Sequence, residues 1–310
     1  MVYKDIFSMK TRYLLLFTVL WVFATQESTA QQDPQYTQYM YNMNVVNPAY
    51  AGSKENLSIG ALYRNQWSGV NGAPQTFTFN AHSPLGDGFG VGLSGINDQI
   101  GPLDQTNVFA DVSYTLDIGK ESKLAFGIKA GATFQSIGFS DRFFQDDMDP
   151  AFQQDIDETY ASIGAGLLYY TDKFYVGLST PNFLRSTHLE VDNTEFGSQE
   201  RHFFLTAGYV FNINDYIKLK PSAFVKSEFS SAISFDVNAN VLFYDKFEIG
   251  ASYRYEDAFS GLASVRATDW IQVGFAYDAT QSNLNEPSYE AFVIFDIFFK
   301  KKTYVSPRYF

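Results

Sequence analysis

Apolar side chains occupy every second position over long stretches of this chain, and this spacing constrains the fold more than any other feature. Between residues 233 and 241, five apolar residues alternate with one serine, one aspartate and two asparagines. Successive side chains of a β-strand point to opposite faces, so this segment is predicted to be a strand with one apolar and one polar face. The alternation resumes after Asp245-Lys246, which indicates a hairpin with a tight turn.

The same alternation recurs from residue 56 to residue 299. It predicts about fourteen strands, at 56–68, 74–83, 88–98, 105–117, 122–138, 158–171, 173–181, 201–212, 215–228, 231–244, 246–256, 260–268, 270–280 and 289–299. Tight turns such as Gly86-Asp87-Gly88 alternate with mostly longer links, which include 139–157, 182–200 and 281–288. Short turns at one end and long loops at the other are typical of outer-membrane barrels. We therefore predict an all-β protein, a transmembrane antiparallel up-and-down β-barrel, rather than a soluble sandwich.

The cost of placing charge in lipid predicts which strand face is which. An Arg or Lys on the lipid face at mid-bilayer costs roughly 2–4 kcal/mol, so the polar face of the strands is expected to line the lumen. The predicted lumen-facing polar residues are Lys226, Asp236, Asn238, Glu248, Arg254, Arg266 and Asp296. The lumen is therefore expected to be polar, with charges of both signs. A barrel of this strand count is wide enough to hold water or a plug, and the sequence leaves both open.

The N-terminus has the pattern of a secretory signal peptide. Lys4, Lys10 and Arg12 precede an apolar run over 13–24, and Ser28-Thr29-Ala30 is a small-x-small cleavage site. The apolar run is short of the roughly 20 residues that a membrane-spanning helix needs. The predicted organisation is a signal peptide at 1–30, an N-terminal helical plug or cap segment at 31–54, the barrel at 55–300 and a C-terminal tail at 301–310.

The segment after the signal peptide breaks the strand pattern. Asp33 is suited to cap a helix, and Pro34 is suited to its first position. The spacing i, i+3, i+4 and i+7 is shared by Tyr36, Tyr39, Met40 and Met43. We predict a short amphipathic helix that ends before Asn47-Pro48. Its aromatic stripe suits either packing against the rest of the fold or docking of a partner, and the two are compatible if the helix plugs or caps a barrel mouth.

Several other patterns point away from nucleic-acid binding and catalysis. The chain has no cysteine and a net charge of -12, so disulfides and thiolate metal sites are excluded and nucleic-acid binding is disfavoured. The segment 90–95 fits the dinucleotide fingerprint, but it lies within a predicted strand with no helix after it, so its glycines are expected to relieve crowding on the lumen face. His82, His188 and His202 form no recognisable catalytic set with the serines. We expect no enzyme and no cofactor.

The longest predicted outer loop is rich in acidic residues. Six aspartates crowd it, Asp141, Asp146, Asp147, Asp149, Asp155 and Asp157. A solvated charged loop is one interpretation, and calcium binding is the other, although the EF-hand spacing and its glycine are missing. No metal site is assigned from the sequence.

Two segments near the ends of the chain resemble a known family. The stretch DPQYTQYMYNMNVVNPAYAGS at 33–53 and the terminal SPRYF at 306–310 resemble the PorP/SprF family, outer-membrane proteins of the type IX secretion and gliding-motility apparatus. The resemblance covers the whole mature chain. It implies a non-enzymatic barrel that helps to secrete or anchor large cell-surface proteins, such as gliding adhesins. The implied partners are a secreted protein with a C-terminal sorting domain, periplasmic components of the apparatus and outer-membrane lipid.

The resemblance also singles out residues. Those carried over from the family pattern are Tyr36, Gln38, Tyr39, Asn47, Pro48, Tyr50, Gly52, Ser306, Pro307, Arg308, Tyr309 and Phe310. Asn47-Pro48 is expected to fix the exit from the helix, and Gly52 to permit a sharp turn into the first strand. Arg308 is suited to bind a carboxylate of a partner.

The implied location is the outer membrane of a Gram-negative bacterium, and an even strand count is expected to place both termini in the periplasm. Two rival functions are considered. The polar lumen permits a porin or transporter for small polar or hydrophobic solutes. A structural link to the cell wall is weakened because only a short tail follows the last predicted strand.

Overall fold

The structure is a computed structural model. It describes residues 36–138, 155–184, 201–228, 233–281 and 286–298, together with the backbone of four two-residue strands between 186 and 199. Several predicted features lie outside the described residues: the signal peptide, His188, four of the six loop aspartates, and the tail with Ser306 to Phe310.

Fourteen strands form one closed antiparallel barrel. In chain order, β1 to β14 are Leu57–Asn65, Gln75–Gly86, Phe89–Ile100, Leu103–Asp117, Lys123–Ile137, Ile156–Tyr170, Phe174–Thr180, His202–Tyr209, Ile217–Glu228, Ser234–Phe243, Phe247–Arg254, Ala258–Thr268, Ile271–Thr280 and Ser288–Ile297. Each strand pairs with the next one in the chain, and β1 pairs with β14, which closes the cylinder. The predicted antiparallel barrel of about fourteen strands is confirmed.

Five further two-residue strands lie between β7 and β9. Phe211–Asn212 continues the pairing with β9 beyond the end of β8. The other four pair with one another in two small sheets outside the barrel, and they are Ser186–Thr187, Glu190–Val191, Thr194–Glu195 and Ser198–Gln199.

The two ends of the barrel differ in their connections. At the end where β1 begins and β14 ends, the strands are joined by the tight links 87–88, 118–122, 171–173, 213–216, 244–246 and 269–270. We call this the short-turn end. At the opposite, long-loop end, the links 101–102 and 255–257 are also tight, whereas the other five are longer. The predicted alternation of tight turns with mostly longer links is therefore confirmed.

Side chains alternate between the lumen and the outer wall along each strand. In β10, Asp236 and Asn238 are buried in the lumen, whereas Val237 and Ala239 between them are exposed. The exposed positions of the outer wall carry many large apolar and aromatic side chains, among them Phe77, Phe79, Leu93, Val108, Val112, Phe126, Ile128, Phe259 and Phe275. An apolar band around a closed cylinder is the surface that lipid covers in a transmembrane barrel.

The residues before β1 form three short helical turns instead of the single predicted helix. They are a 3-10 helix at Tyr39–Tyr41, the α-helix α1 at Met43–Val46 and a 3-10 helix at Pro48–Tyr50. The predicted end of the helix before Asn47 is correct, but a continuous amphipathic helix from residue 34 is wrong for the described part of the segment. Among the described residues, no helix has the length and apolar character needed to cross a membrane.

The helix is interrupted because no face of this segment is exposed to solvent. The positions between the aromatic residues are also buried, and they carry Thr37, Gln38, Asn42 and Asn44. Amide side chains that bind neighbouring groups compete with regular helical hydrogen bonding. Because most of these polar side chains reach the barrel wall, the backbone follows the wall and not the helical period.

Candidate functional site

Residues 36–54 fill the lumen, and we call this segment the plug. Near its junction with β1, the Lys54 ammonium donates to Ser58 Oγ at 3.2 Å and lies 3.5 Å from Asp296 Oδ1. At its other end, Thr37 Oγ1 donates to Asp278 Oδ2 at 2.8 Å. Between these points its side chains are buried against strands all around the wall.

A buried ion cluster holds the first described residues of the plug, and we call Arg64, Asp278 and Glu290 the clamp. Arg64 Nη1 lies 2.8 Å from Asp278 Oδ2 and 3.1 Å from Glu290 Oε2. Glu290 accepts from the backbone N–H groups of Thr37 at 3.0 Å and Gln38 at 2.7 Å. Arg64 also donates to Thr37 Oγ1 at 3.1 Å. Charge-assisted hydrogen bonds of this kind are stronger than neutral ones, so the clamp fixes the plug backbone.

Amide side chains hold the middle of the plug. Asn42 donates to Thr78 Oγ1 at 3.1 Å and accepts from the Asn80 amide at 2.8 Å. Asn44 donates to Asp111 Oδ2 at 3.2 Å, and the other oxygen of that carboxylate lies 2.9 Å from Lys129 Nζ. The amides therefore help to satisfy polar groups that are buried in the lumen.

Aromatic rings of the plug pack on apolar side chains that also face the lumen. Tyr39 stacks on Phe224 with ring centroids 4.9 Å apart, and Tyr41 stacks on Phe292 at 4.3 Å. Burial raises the pKa of Tyr39, and likewise the pKa of Tyr50, above the ordinary value of a phenol. Both hydroxyls therefore stay neutral, and the Tyr39 hydroxyl donates to Ser222 Oγ at 3.1 Å.

Glycines on the wall make room for the last part of the plug, and we call Gly90, Gly127 and Gly166 the cradle. A Cβ on Gly90 would lie 2.3 Å from the Ala51 carbonyl oxygen, and one on Gly127 would lie 2.2 Å from the Ala49 nitrogen. On Gly166 it would lie 2.0 Å from Asn47 Oδ1. Real Cβ atoms do not come this close to other heavy atoms. The plug backbone at Gly90 and Gly127, and the Asn47 side chain at Gly166, can therefore approach the wall because it carries glycine there.

The fingerprint-like glycines of β3 divide by face. Gly90 and Gly92 face the plug, and a Cβ on Gly92 would lie 2.9 Å from the Asn44 amide, as expected for glycines that relieve crowding. Gly95 has the other parity, and its nearest neighbour would be 3.8 Å away, so that expectation is wrong for Gly95.

The family-motif residues within the described range all belong to the plug. The Asn47 amide donates to the Leu167 carbonyl oxygen at 3.0 Å, and its oxygen accepts from the Ala49 N–H at 2.9 Å. Gly52 has φ 71, a left-handed conformation that glycine adopts without strain. Tyr36, Gln38, Tyr39, Pro48 and Tyr50 are buried.

The polar wall residues singled out from sequence occupy the lumen with their partners. Arg254 forms a two-point pair with Asp236, at 2.9 Å for both bonds. Lys220, which was not among the residues predicted from the sequence, lies 3.0 Å from Glu248. The Asn238 amide donates to the Tyr39 hydroxyl at 3.3 Å.

The other three residues that were predicted to face the lumen differ in burial. Lys226 is buried in the wall, whereas Arg266 and Asp296 are half-buried and border the cavity described below. Arg266 donates a long hydrogen bond of 3.5 Å to Gln272. Within the described residues, no carboxylate lies within ion-pair distance of Arg266.

Sequence reasoning missed the clamp and the apolar part of the lumen. Asp278, Glu290 and Asp111 all lie at lumen-facing positions of the period-two pattern. Their place in this pattern could therefore have identified them as lumen residues. The expected polar side chains of both charges line the lumen, but apolar side chains that were not predicted line it too, namely Leu62, Phe224, Leu242, Phe292 and Ile294. These side chains provide apolar surface against which the aromatic rings of the plug pack. The sequence alone does not show this packing, because it depends on the fold.

Beside the plug lies a cavity of about 670 Å³ that reaches the short-turn end of the barrel. It lies between Tyr41 and Met43 of the plug and short turns that contain Asp172 and Asp245. Charged side chains of both signs border it. In the described part of the chain, no group of three or more His, Asp or Glu residues is placed to hold a metal ion.

A closed fourteen-strand cylinder with a lipid-compatible outer wall defines a membrane β-barrel of the outer-membrane kind. The chain belongs to the PorP/SprF family of type IX secretion system membrane proteins, whose profile matches residues 28–297. Such a barrel fits the outer membrane and takes part in secretion or transport.

Solved structures resemble the chain in fold alone. The toluene transporter TbuX of Ralstonia pickettii is 12% identical, with a TM-score of 0.51 over 83% of this chain and 93% of that chain. The CymD monoaromatic hydrocarbon channel is 12% identical, with a TM-score of 0.50 over 84% of this chain and 93% of that chain. The comparison with curated proteins gave no match.

Proposed function

We propose that this chain is a non-enzymatic outer-membrane component of type IX secretion and gliding, and that it helps to secrete or anchor large surface proteins with C-terminal sorting domains. The observation that carries the proposal beyond family membership is the plugged lumen. A barrel whose interior is occupied by its own chain works through its two mouths and its outer wall.

The energetics of the plug support this role. The clamp is buried, and breaking a buried ion pair by removing one partner costs about 3–5 kcal/mol. The cradle adds close contacts between the plug and the wall. Expelling the plug would expose both sets of groups at once, so a resident plug is favoured over a gate that opens freely.

The two mouths are suited to different partners. The long-loop end is the proposed site for the secreted client. The short-turn end, with its cavity and the end of β14, is the proposed site for periplasmic components of the apparatus. Ser306, Pro307, Arg308, Tyr309 and Phe310 are proposed to contact that machinery, with Arg308 binding a carboxylate.

Deletion of the gene tests the proposal. We expect surface display of at least one large protein with a sorting domain to be lost, while uptake of small solutes stays normal. Re-expression of the wild-type chain should restore display, and re-expression of a chain that ends at residue 300 should not. Unchanged display after deletion would contradict the proposal.

A solute transporter is the competing function, and the cavity at the short-turn end is the feature that permits it. Planar-bilayer recordings of the purified barrel separate the two. We expect no steady single-channel conductance from the wild-type protein. A stable open conductance would favour the transporter and remove the argument from the plug.

A further inference from the structure

The plug has a direction, because its two ends are held at different depths of the barrel. Lys54 contacts Ser58, near the start of β1 at the short-turn end. Thr37 accepts from Arg64, the last residue but one of β1. Six residues of strand separate Ser58 from Arg64, which is about 20 Å along the strand and about 15 Å in depth at a tilt near 40°.

Contacts between these two points follow the same course. The Ala51 carbonyl oxygen accepts from Ser113 at 2.5 Å, close to the short-turn end of β4. Asn44 binds Asp111, two residues further from that end. Thr37 reaches Asp278, which lies only two residues from the long-loop end of β13. The chain therefore climbs the lumen as it is followed from β1 back toward its N-terminus.

Packing closes the gap between the wall and the described start of the plug on the side of β1, β9, β13 and β14. A chain that doubled back from Tyr36 toward the short-turn end would have to pass between the plug and the wall. Ring stacking at 4.9 Å and 4.3 Å fills that gap for Tyr39 and Tyr41, and contacts of 2.7 to 3.1 Å fill it at the clamp. On this side of the plug, the direction that stays open to the chain before Tyr36 is toward the long-loop end.

We infer that the chain upstream of Tyr36 leaves the lumen at the long-loop end, so that the N-terminal segment and the end of β14 face opposite sides of the membrane. With the short turns in the periplasm, the mature N-terminus is presented at the cell surface beside the long loops. A secreted protein that docks at this mouth would meet it. This departs from the expectation, drawn from strand count alone, that both termini are periplasmic, and it holds whether or not the chain serves type IX secretion.

The absence of cysteine from the whole sequence makes a direct test possible. Gln32→Cys places one thiol in the N-terminal segment. Asn71→Cys, in the exposed link after β1, marks the long-loop end, and Lys120→Cys, in the exposed link after β4, marks the short-turn end. Each single-cysteine protein is treated with a membrane-impermeant maleimide, first in intact cells and then after the outer membrane has been opened.

We expect Gln32→Cys to react in intact cells to at least half the extent of Asn71→Cys, while Lys120→Cys reacts only in opened cells. Heat-modifiable migration of each variant on gels shows that the barrel has folded. If Gln32→Cys follows Lys120→Cys, or does not react from outside at all, the inference is overturned. Should Lys120→Cys and not Asn71→Cys react in intact cells, the barrel is inverted, and Gln32→Cys must still follow Asn71→Cys.

Discussion

The two ends of the plug are held by different physical means. At the clamp, Arg64 and two carboxylates bind each other and the plug backbone, in a region closed to water. At the cradle, by contrast, the wall meets the plug at glycine, and the plug backbone packs against Gly90 and Gly127. Buried charges are stabilising only as a complete set, whereas close packing is lost with a single added methyl group. The clamp therefore fixes which residue sits where, and the cradle fixes how closely the chain approaches the wall.

The largest effect is expected from breaking the clamp. Arg64→Leu would remove the cation that is in ion-pair contact with both Asp278 and Glu290, which we expect to lower the free energy of unfolding by about 3–5 kcal/mol. Urea unfolding in detergent micelles, followed by tryptophan fluorescence, measures it. Arg266→Leu is the matched control, since this lumen arginine has no carboxylate at ion-pair distance among the described residues, and it should cost far less. Equal losses for the two variants would refute a special role for the clamp.

An added methyl group in the cradle tests the other end. Gly127→Ala would bring its Cβ to 2.2 Å from the Ala49 nitrogen, so the plug must shift, at a cost of about 1–3 kcal/mol. We expect faster proteolysis within the plug in the folded barrel. Gly261→Ala provides the comparison, because no atom lies within 4 Å of its added Cβ. A plug as resistant to protease in Gly127→Ala as in Gly261→Ala would show that the cradle is not needed.

A smaller effect is expected where the plug turns from α1 into its last helical turn. Asn47→Ala removes the acceptor for the Ala49 N–H and the donor to the Leu167 carbonyl, which we expect to cost about 1–2 kcal/mol of unfolding free energy. Asn47→Ser keeps an acceptor for Ala49 and should recover part of the loss in the same urea experiment. If serine is no better than alanine, the capping bond contributes little.

The smallest effect concerns the plug phenols. Burial raises the pKa of Tyr39 and the pKa of Tyr50, so above about pH 10 the unfolded chain releases protons that the folded barrel retains. Stability should therefore fall as the pH rises past that value. In an ultraviolet titration of the folded protein, the double variant Tyr39→Phe, Tyr50→Phe should give the same tyrosinate signal as the wild type. A smaller signal would mean that these phenols ionise in the native barrel.

Strand pattern was readable from the sequence because it is local. All fourteen predicted strands are present, with bounds that differ by at most three residues, since each strand carries its own alternation of apolar and polar side chains. The plug was only partly readable. The spacing of its aromatic residues matched a helical period, but Asn42 and Asn44 bind Thr78 and Asp111 on the wall, and no local pattern reveals such partners.

The clamp shows most clearly what could not be predicted from the sequence. Arg64 and Glu290 are 226 positions apart, and nothing near either residue marks the other as its partner. Their meeting follows from the closure of the cylinder, which sets Arg64 directly opposite Glu290 in the pairing of β1 with β14. The two-residue period of the strands predicts that each side chain faces the lumen. Only the register between β1 and β14 brings the two side chains together.

That pairing is also the seam where the first strand meets the last, and it has a consequence for the order of assembly. Joining chain segments so distant along the backbone is opposed by loop-closure entropy, and both partners are present only in a fragment that spans residues 64–290. Glu290 can accept hydrogen bonds from the Thr37 and Gln38 backbone N–H groups beside Arg64 only after β1 has paired with β14. The clamp is therefore expected to bind the plug late in biogenesis. In a barrel whose first and last strands have not yet paired, we expect the start of the plug to be unbound.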